Sequence, residues 1–346
     1  CFSMTEPDVA GSDPTLIQTS AVEEGDEWVI NGHKWFTSGA EGADFAIVIA
    51  RTDPDAEIPQ ARNSAFIVPT NTPGFEIIRD VETMGGRHNH PEIKYTDVRV
   101  PKTHLLGERG GGHKLGQVRL GPARLAHCMR WLGQIEMALE MLVDRAQKRF
   151  AHGSYLSEKQ SIQWMMSDSA MELYAAKLMV LHAAYKIEQG LEFKQEVSMA
   201  KHHVANTLWR VIDRAMQVHG ALGYSTDTPL AGMMQQARWA RLADGADEVH
   251  QMRIAELCRG PDFLLIELTD HNVQGSRHKP AGQGHEVDLY ACVVHEQECN
   301  DQGDNPRGAG GHVKLPAALL SIVTLQAKLL DEPEVHKDHG PHGHED

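Results

Sequence analysis

The spacing of apolar positions changes at a run of three glycines, Gly110-Gly111-Gly112, and the change divides the chain. Before it, short runs rich in β-branched and aromatic residues recur at Trp28–Ser38, Ala43–Arg51, Ser64–Pro69, Phe75–Val81 and Ile93–Val100. Turn residues separate them: Glu24-Gly25-Asp26, Asn31-Gly32, Asn71–Gly74 and Gly85-Gly86. Several strands with no helical period between them predict an antiparallel barrel or sandwich. After the glycines, apolar residues return at steps of three and four. One stripe runs Leu125, Met129, Leu132, Ile135, Leu139, Leu142, Ala146, Phe150, and a second runs from Ile162 to Ile187. A third runs from Val197 to Leu222, and a further helix is expected over Ala246–Leu268. Gly153, Gly190 and Gly223 fall at the breaks, where helix ends favour glycine. Long helices with short connections predict an antiparallel bundle.

The region from about residue 269 to 346 is different in kind. It is rich in Gly, Pro and His, and only Pro316–Leu330 has a helical pattern, so a mostly disordered tail is expected. His336, His339, His342 and His344 are spaced so that imidazoles can converge on a divalent ion. A solvated polar tail is preferred, because no cysteine or fixed scaffold supports the cluster. No metal site is expected.

Composition narrows the function. The 346 residues are 41% hydrophobic and 23% charged, as in ordinary globular proteins. A net charge of −15 argues against a general nucleic-acid binder, which needs clustered cations. The longest apolar stretch, Leu315–Leu325, contains Pro316 and Ser321 and is too short for a bilayer span. Five cysteines without a C-x-x-C pair or paired zinc spacing fit a reducing compartment. The chain begins at Cys1 with a β-type pattern close behind, which reads as a fragment whose targeting peptide, if any, is not visible.

Three short segments carry candidate chemistry, each with a plainer reading beside it. Met4-Thr5-Glu6-Pro7 with Gly11-Ser12-Asp13 is a loop able to hold a pyrophosphate or a polar ring edge, or simply a capped turn. Lys34–Gly39 ends a strand with Trp35 and Thr37 on one face, suiting a planar redox ring or a barrel core. Asp244–Glu248 opens a helix and is either a base or an N-terminal cap.

Taken in order, these segments resemble one family. Thr5–Asp13, Val29–Gly39, Asp97–Pro101 and Leu106–Glu108 are similar to the middle domain of acyl-CoA dehydrogenases. Arg149–Gly153, Gln217–Tyr224 and Leu242–His250 are similar to their C-terminal domain, and the likeness spans residues 1–268. The Ala-Asp-Gly-x-Asp-Glu-Val-His form is most similar to the subgroup holding human members ten and eleven. The resemblance implies an α+β fold: an antiparallel β-barrel middle domain over 1–110, then a four-helix bundle over 111–268, without the family's N-terminal helical domain.

It also implies FAD. Phe2, Met4, Thr5 and Ser12 match positions at the flavin and its pyrophosphate, and Trp35 and Thr37 match those beside its reactive face. Arg149, Gln217 and Ala221 match positions that hold the adenosine half, usually of a neighbouring subunit, so a homodimer or homotetramer is implied. Ala246 and Glu248 are carried over as cofactor contacts, and Ser12, Arg124 and Gly245 as substrate contacts. Arg124 is expected near the start of the first bundle helix, after Gly121-Pro122. The implied reaction is α,β-dehydrogenation of an acyl-CoA to the trans-2-enoyl-CoA, as in fatty-acid β-oxidation, with electrons passed to an electron-transfer flavoprotein. Asp244 stands at the position of the base. The implied location is the cytoplasm in a bacterium or the mitochondrial matrix in a eukaryote. An oxidase of the same fold, acting on a nitroalkane or an acyl-CoA, and an inactive fragment or interaction module are the alternatives. Asp in place of Glu as the base, Ala243 before it, and His152 in place of Phe depart from the family pattern.

Overall fold

The computed structural model describes residues 1–259, all within one compact unit. The expected tail, with its His336–His344 cluster and Pro316–Leu330 helix, lies outside the described residues. So do Cys292, Cys299 and the end of the helix expected over Ala246–Leu268.

One sheet contains β1 (Phe2–Ser3), β2 (Ser20–Glu24), β3 (Glu27–Lys34), β4 (Phe45–Arg51), β5 (Asn63–Pro69), β6 (Phe75–Asp80), β7 (Pro91–Pro101) and β8 (Leu105–Leu106). Its order is β6-β7-β3-β2-β4-β5-β8, with β1 beside β4. The expected antiparallel barrel is corrected here: β6 and β8 remain open edges, and the sheet is mixed. Strand β1 runs parallel to β4, and β2 meets β4 in parallel at Ser20 and Arg51 alone. Closure needs edge strands long enough to pair around the circle. Here β8 has two residues and β6 is largely exposed. Alternation along a strand reports which face is buried, and it carries no information on whether two edges meet. The buried face is built from Trp28, Ile30, Val48, Phe66, Ile93 and Tyr95.

The helical half starts at the third glycine of the run: α1 (Gly112–Lys148), α2 (Gln160–Glu188), α3 (Lys194–His219), α4 (Ala221–Tyr224), α5 (Leu230–Ala240) and α6 (Asp247–Cys258). The four-helix bundle is therefore also corrected. Three long helices are joined by two shorter ones and a single turn, and α3 packs against α1, α2, α5 and α6. Central placement explains its burial on more than one side, with Val204, Ala205, Leu208, Val211, Ile212 and Ala215 all inaccessible. Helix α5 escapes the sequence pattern because its 11 residues, set between Pro229 and Arg241, are too few to establish a period.

Helix α1 continues through Pro122, where the expectation had it begin. The proline removes one hydrogen bond to the carbonyl of Val118, a residue exposed enough for water to replace it. Arg124 consequently sits within the helix, away from the N-terminal dipole. The buried stripe of α1 is Leu125, Cys128, Trp131, Ile135, Ala138, Leu142 and Ala146, with Met129, Leu132 and Leu139 at its margin.

After α1, β9 (Phe150–Ala151) and β10 (Ser154–Tyr155) form a hairpin. Its two turn residues, His152 and Gly153, both have positive φ, the conformation of a tight I′ turn. Histidine tolerates that region better than the phenylalanine usual in the resembling motif.

Candidate functional site

The site is built around the loop between α5 and α6. Asp244 (φ +51°) and Gly245 (φ +106°) turn the chain through the left-handed region, which aspartate tolerates and glycine favours. A Cβ on Gly245 would lie 2.8 Å from His250 Nε2, so glycine is also required for space. The next carboxylate, Asp247, is buried at the N-terminus of α6. It accepts hydrogen bonds from Arg241 Nε (2.6 Å) and Asn206 Nδ2 (3.1 Å). The helix dipole and these donors commit Asp247 to holding the loop. Glu248 projects outward and is exposed, and Ala246 caps α6 in extended geometry.

Asp244 differs from Asp247. Its Oδ2 lies 3.0 Å from His127 Nε2, and its backbone carbonyl accepts from Arg124 Nε at 2.7 Å. Lys201 of α3 donates to the carbonyl of Gly245 at 2.5 Å. Arg124, His127 and Trp131 line one face of α1 at three- and four-residue steps. His127 stacks on Trp131 (centroids 5.3 Å) and meets Trp239 of α5 edge-on. Burial works against ionisation of Asp244, yet the contact with His127 and the cations Arg119 and Arg124 outweigh it and hold its carboxyl below the usual range. Burial pushes Lys201 down to about 8 and His250 to about 4. It pushes the neighbouring Cys128 thiol up to about 12, so this cysteine is a packing residue and no nucleophile. Among the described residues, the N–H groups of Asp244 and Gly245 have no acceptor.

The second part of the site lies on the sheet. Trp35 N–H donates to Thr5 O at 3.0 Å, and Thr5 Oγ1 donates to Trp35 O at 2.8 Å, joining the Met4–Ser12 loop to the end of β3. A buried ion pair sets that junction: Lys34 Nζ reaches Glu6 Oε1 at 2.9 Å and Met4 O at 2.7 Å. Glu6 also accepts from the backbone of Gln18 and Thr19. Phe2, Met4, Thr5 and Trp35 are half-buried around this junction, and Ser12 is exposed. Among the described residues, the Gly11 and Ser12 N–H groups have no acceptor. A half-buried indole beside free backbone donors fits a planar ring with a polar edge and phosphates. Thr37 is fully buried, its hydroxyl 3.0 Å from Ser3 Oγ, which in turn accepts from Tyr95 OH.

Arg119 links the two parts. Its guanidinium lies 4.8 Å over the Phe2 ring and contributes to the field at Asp244. Arg149, Gln217 and Ala221 are instead exposed, at the ends of α1 and α3 and the start of α4. A separate recess of about 610 Å³, lined by Thr52, Asp53, Asp55 and Arg109, contains none of these residues.

Sequence reasoning missed His127, Lys201, Arg241, Asn206 and His250. Two of them left a signal. Lys201 interrupts the apolar stripe of α3 between Ala200 and Val204, and His127 lies three residues after Arg124 on a helix. Arg241 and Asn206 are recognisable only once α3 and α5 are packed.

Comparison with known proteins covers both regions of the chain. Residues 1–98 match the family model for the acyl-CoA dehydrogenase middle domain, and residues 110–258 match the model for its C-terminal domain. The chain is 46% identical over 276 residues to the protein named "Probable acyl-CoA dehydrogenase FadE2" of Mycobacterium tuberculosis, covering 78% of this chain and 68% of that one. It is 40% identical over 265 residues to acyl-CoA dehydrogenase family member 11 of Pongo abelii, covering 74% of this chain and 34% of that protein. The chain thus spans about two thirds of the first relative and a third of the second. Among solved structures, an acyl-CoA dehydrogenase from Geobacillus kaustophilus aligns with TM-score 0.71 at 30% identity, over 75% of this chain and 68% of that one. A chain from a study of the electron transferring flavoprotein of Acidaminococcus fermentans aligns with TM-score 0.69 at 33% identity, over 75% and 68%.

Proposed function

From the premise that this chain belongs to the acyl-CoA dehydrogenase family of FAD-dependent oxidoreductases, we propose that it removes the α and β hydrogens of an acyl-CoA thioester with Asp244 as the base. The observation that carries this reading is the setting of Asp244. Its carboxylate is half-buried and kept ionised by His127 and by the cations Arg119 and Arg124, and Arg119 also lies over the ring of Phe2.

Bound FAD supplies the acceptor for the β-hydride. The chain's own residues do the rest. Phe2, Met4, Thr5, Ser12 and Trp35 would hold the flavin and its pyrophosphate, the Lys34–Glu6 pair keeping their loop in place. Thr37 would contribute to the same wall from within the sheet. Asp244 takes the α-proton, an acid too weak for a free carboxylate unless the enolate-like charge is stabilised. The free N–H groups of Asp244 and Gly245 are suited to the thioester oxygen, and Arg124 steadies them by holding the Asp244 carbonyl. Ala243 and the shorter aspartate leave a wider space before the base than a glutamate behind an aromatic residue would.

Assembly and electron transfer belong to the same proposal. Exposure of Arg149, Gln217 and Ala221 suits residues that complete the adenosine site of a second copy. Helix α2 also exposes Trp164, Met171, Tyr174, Leu178, Leu181 and Tyr185, spaced along one helix face, which supports a homodimer or homotetramer. An electron-transfer flavoprotein is the natural acceptor, in keeping with the alignment to the Acidaminococcus chain. Anaerobic addition of acyl-CoA thioesters to FAD-loaded protein tests the reading. Bleaching of the flavin band is expected, and a band unchanged by short, long and branched acyl-CoAs contradicts it.

A further inference from the structure

We propose that His127 is the positioning residue for the Asp244 carboxylate, and that Arg130 sets its tautomer; the proposal rests on Asp244 being the base. Arg130 Nη2 donates to His127 Nδ1 at 2.6 Å. A guanidinium carries only donors and keeps its proton, so Nδ1 must offer its lone pair. The single proton of the ring then resides on Nε2, the atom 3.0 Å from Asp244 Oδ2. Trp131 stacks on the ring with an interplanar angle of 25°, and Trp239 abuts it at 67°, so the imidazole is packed on two sides.

The carboxylate is thereby held from two directions. Arg124 fixes the Asp244 carbonyl, Lys201 fixes the Gly245 carbonyl, and His127 faces Oδ2. Oδ1 has no hydrogen-bond partner among the described residues and is the oxygen left for a substrate proton. A neutral donor suits a base: it orients the carboxylate without the full positive charge that would suppress its basicity. The other charged or titratable groups facing this centre are Arg119 and Arg124 from α1, Lys201 from α3, and Asp247 and His250 from α6. Arg119, Arg124 and Lys201 already supply positive charge, so a histidinium would add to an excess.

The tautomer is testable without cofactor or substrate. In ¹⁵N-histidine-labelled protein at pH 8, the signal lost in His127→Gln should show an unprotonated Nδ1 and a protonated Nε2. A doubly protonated ring, or the reversed tautomer, overturns the proposal. Arg130 is on the surface, so Arg130→Met should fold, and it should produce a mixture of the two tautomers. An unchanged signal in Arg130→Met removes Arg130 from the account.

In FAD-loaded protein, His127→Phe keeps the stacking and removes the donor. The acid limb of flavin reduction should then move up by about one pH unit, because the carboxylate loses a partner that favours its ionised form. His127→Gln, which retains an N–H, should restore most of it. An acid limb unmoved in His127→Phe overturns the positioning role. Asp244→Asn separates this from the underlying reading. If that variant still reduces flavin at the wild-type rate, the base assignment fails. If it is inactive while His127→Phe titrates like wild type, only the present inference fails.

Discussion

Lys34 in the sheet and Lys201 among the helices are both fully buried, and burial pushes both from 10.5 to about 8. Their partners are unlike. Lys34 has a carboxylate of its own, Glu6, which is itself saturated by two backbone donors, so the charges close on themselves. Lys201 donates to a backbone carbonyl and shares the field of Asp244 and Asp247 with Arg124. A closed pair holds a loop in place, as it does for Met4–Ser12. An open cluster, with three cations around one half-buried carboxylate and free N–H groups beside it, retains attraction for something outside the chain. The first arrangement serves the fold, and the second suits the proposed chemistry.

Breaking the closed pair should have the largest effect on stability. Lys34→Met leaves the Glu6 carboxylate buried without a cation, which typically destabilises by about 3–5 kcal/mol. Lys201→Met removes one hydrogen bond and a costly buried charge, so a loss of about 1 kcal/mol is expected. Denaturant unfolding of the two variants measures both, and equal losses would erase the distinction between the regions.

Gly245→Ala tests the open cluster directly. A positive φ and a contact with the His250 ring should together cost about 2 kcal/mol. Flavin reduction should fall further than stability does, because the loop carries Asp244. A variant with wild-type stability and rate would show that the loop geometry does not matter.

The smallest effect is in alkaline pH. Both lysines bind protons less tightly folded than unfolded, so the cost of burying their charge is present below about pH 8. That cost is relieved as pH rises toward the unfolded value of 10.5. Stability should therefore gain about 1–2 kcal/mol from each of the two lysines between pH 8 and 9.5. In Lys201→Met the gain should shrink by roughly half, seen as a flatter dependence of Tm on pH. An identical slope in the variant would mean that Lys201 is not the depressed group.

How much of this was legible in the sequence follows from what each signal encodes. Period-two runs located β3, β4, β5 and β7, because alternation is set by one buried face. Closure of the sheet depends on β6 and β8, and no local pattern reports whether they meet. The stripes located α1, α2 and α3 but began α1 ten or so residues late, since Pro122 reads as a helix start and here lies inside one. Asp244, Arg124 and the Met4–Ser12 loop were found through family motifs. His127 and Lys201 were not, because their roles arise only when α1, α3 and the α5–α6 loop come together. Thr37 shows the converse: the strand alternation put it beside Trp35, and packing gave its hydroxyl to Ser3.

The central claim is that Asp244 removes the α-proton. It is tested most directly by Asp244→Asn in FAD-loaded protein, carrying whatever residues its reading frame places before Cys1, with an acyl-CoA in deuterated water. Hydrogen exchange at the α-carbon and flavin bleaching should both fall by about 10²–10⁴-fold, with FAD content unchanged. Exchange and bleaching at the wild-type rate would contradict the account.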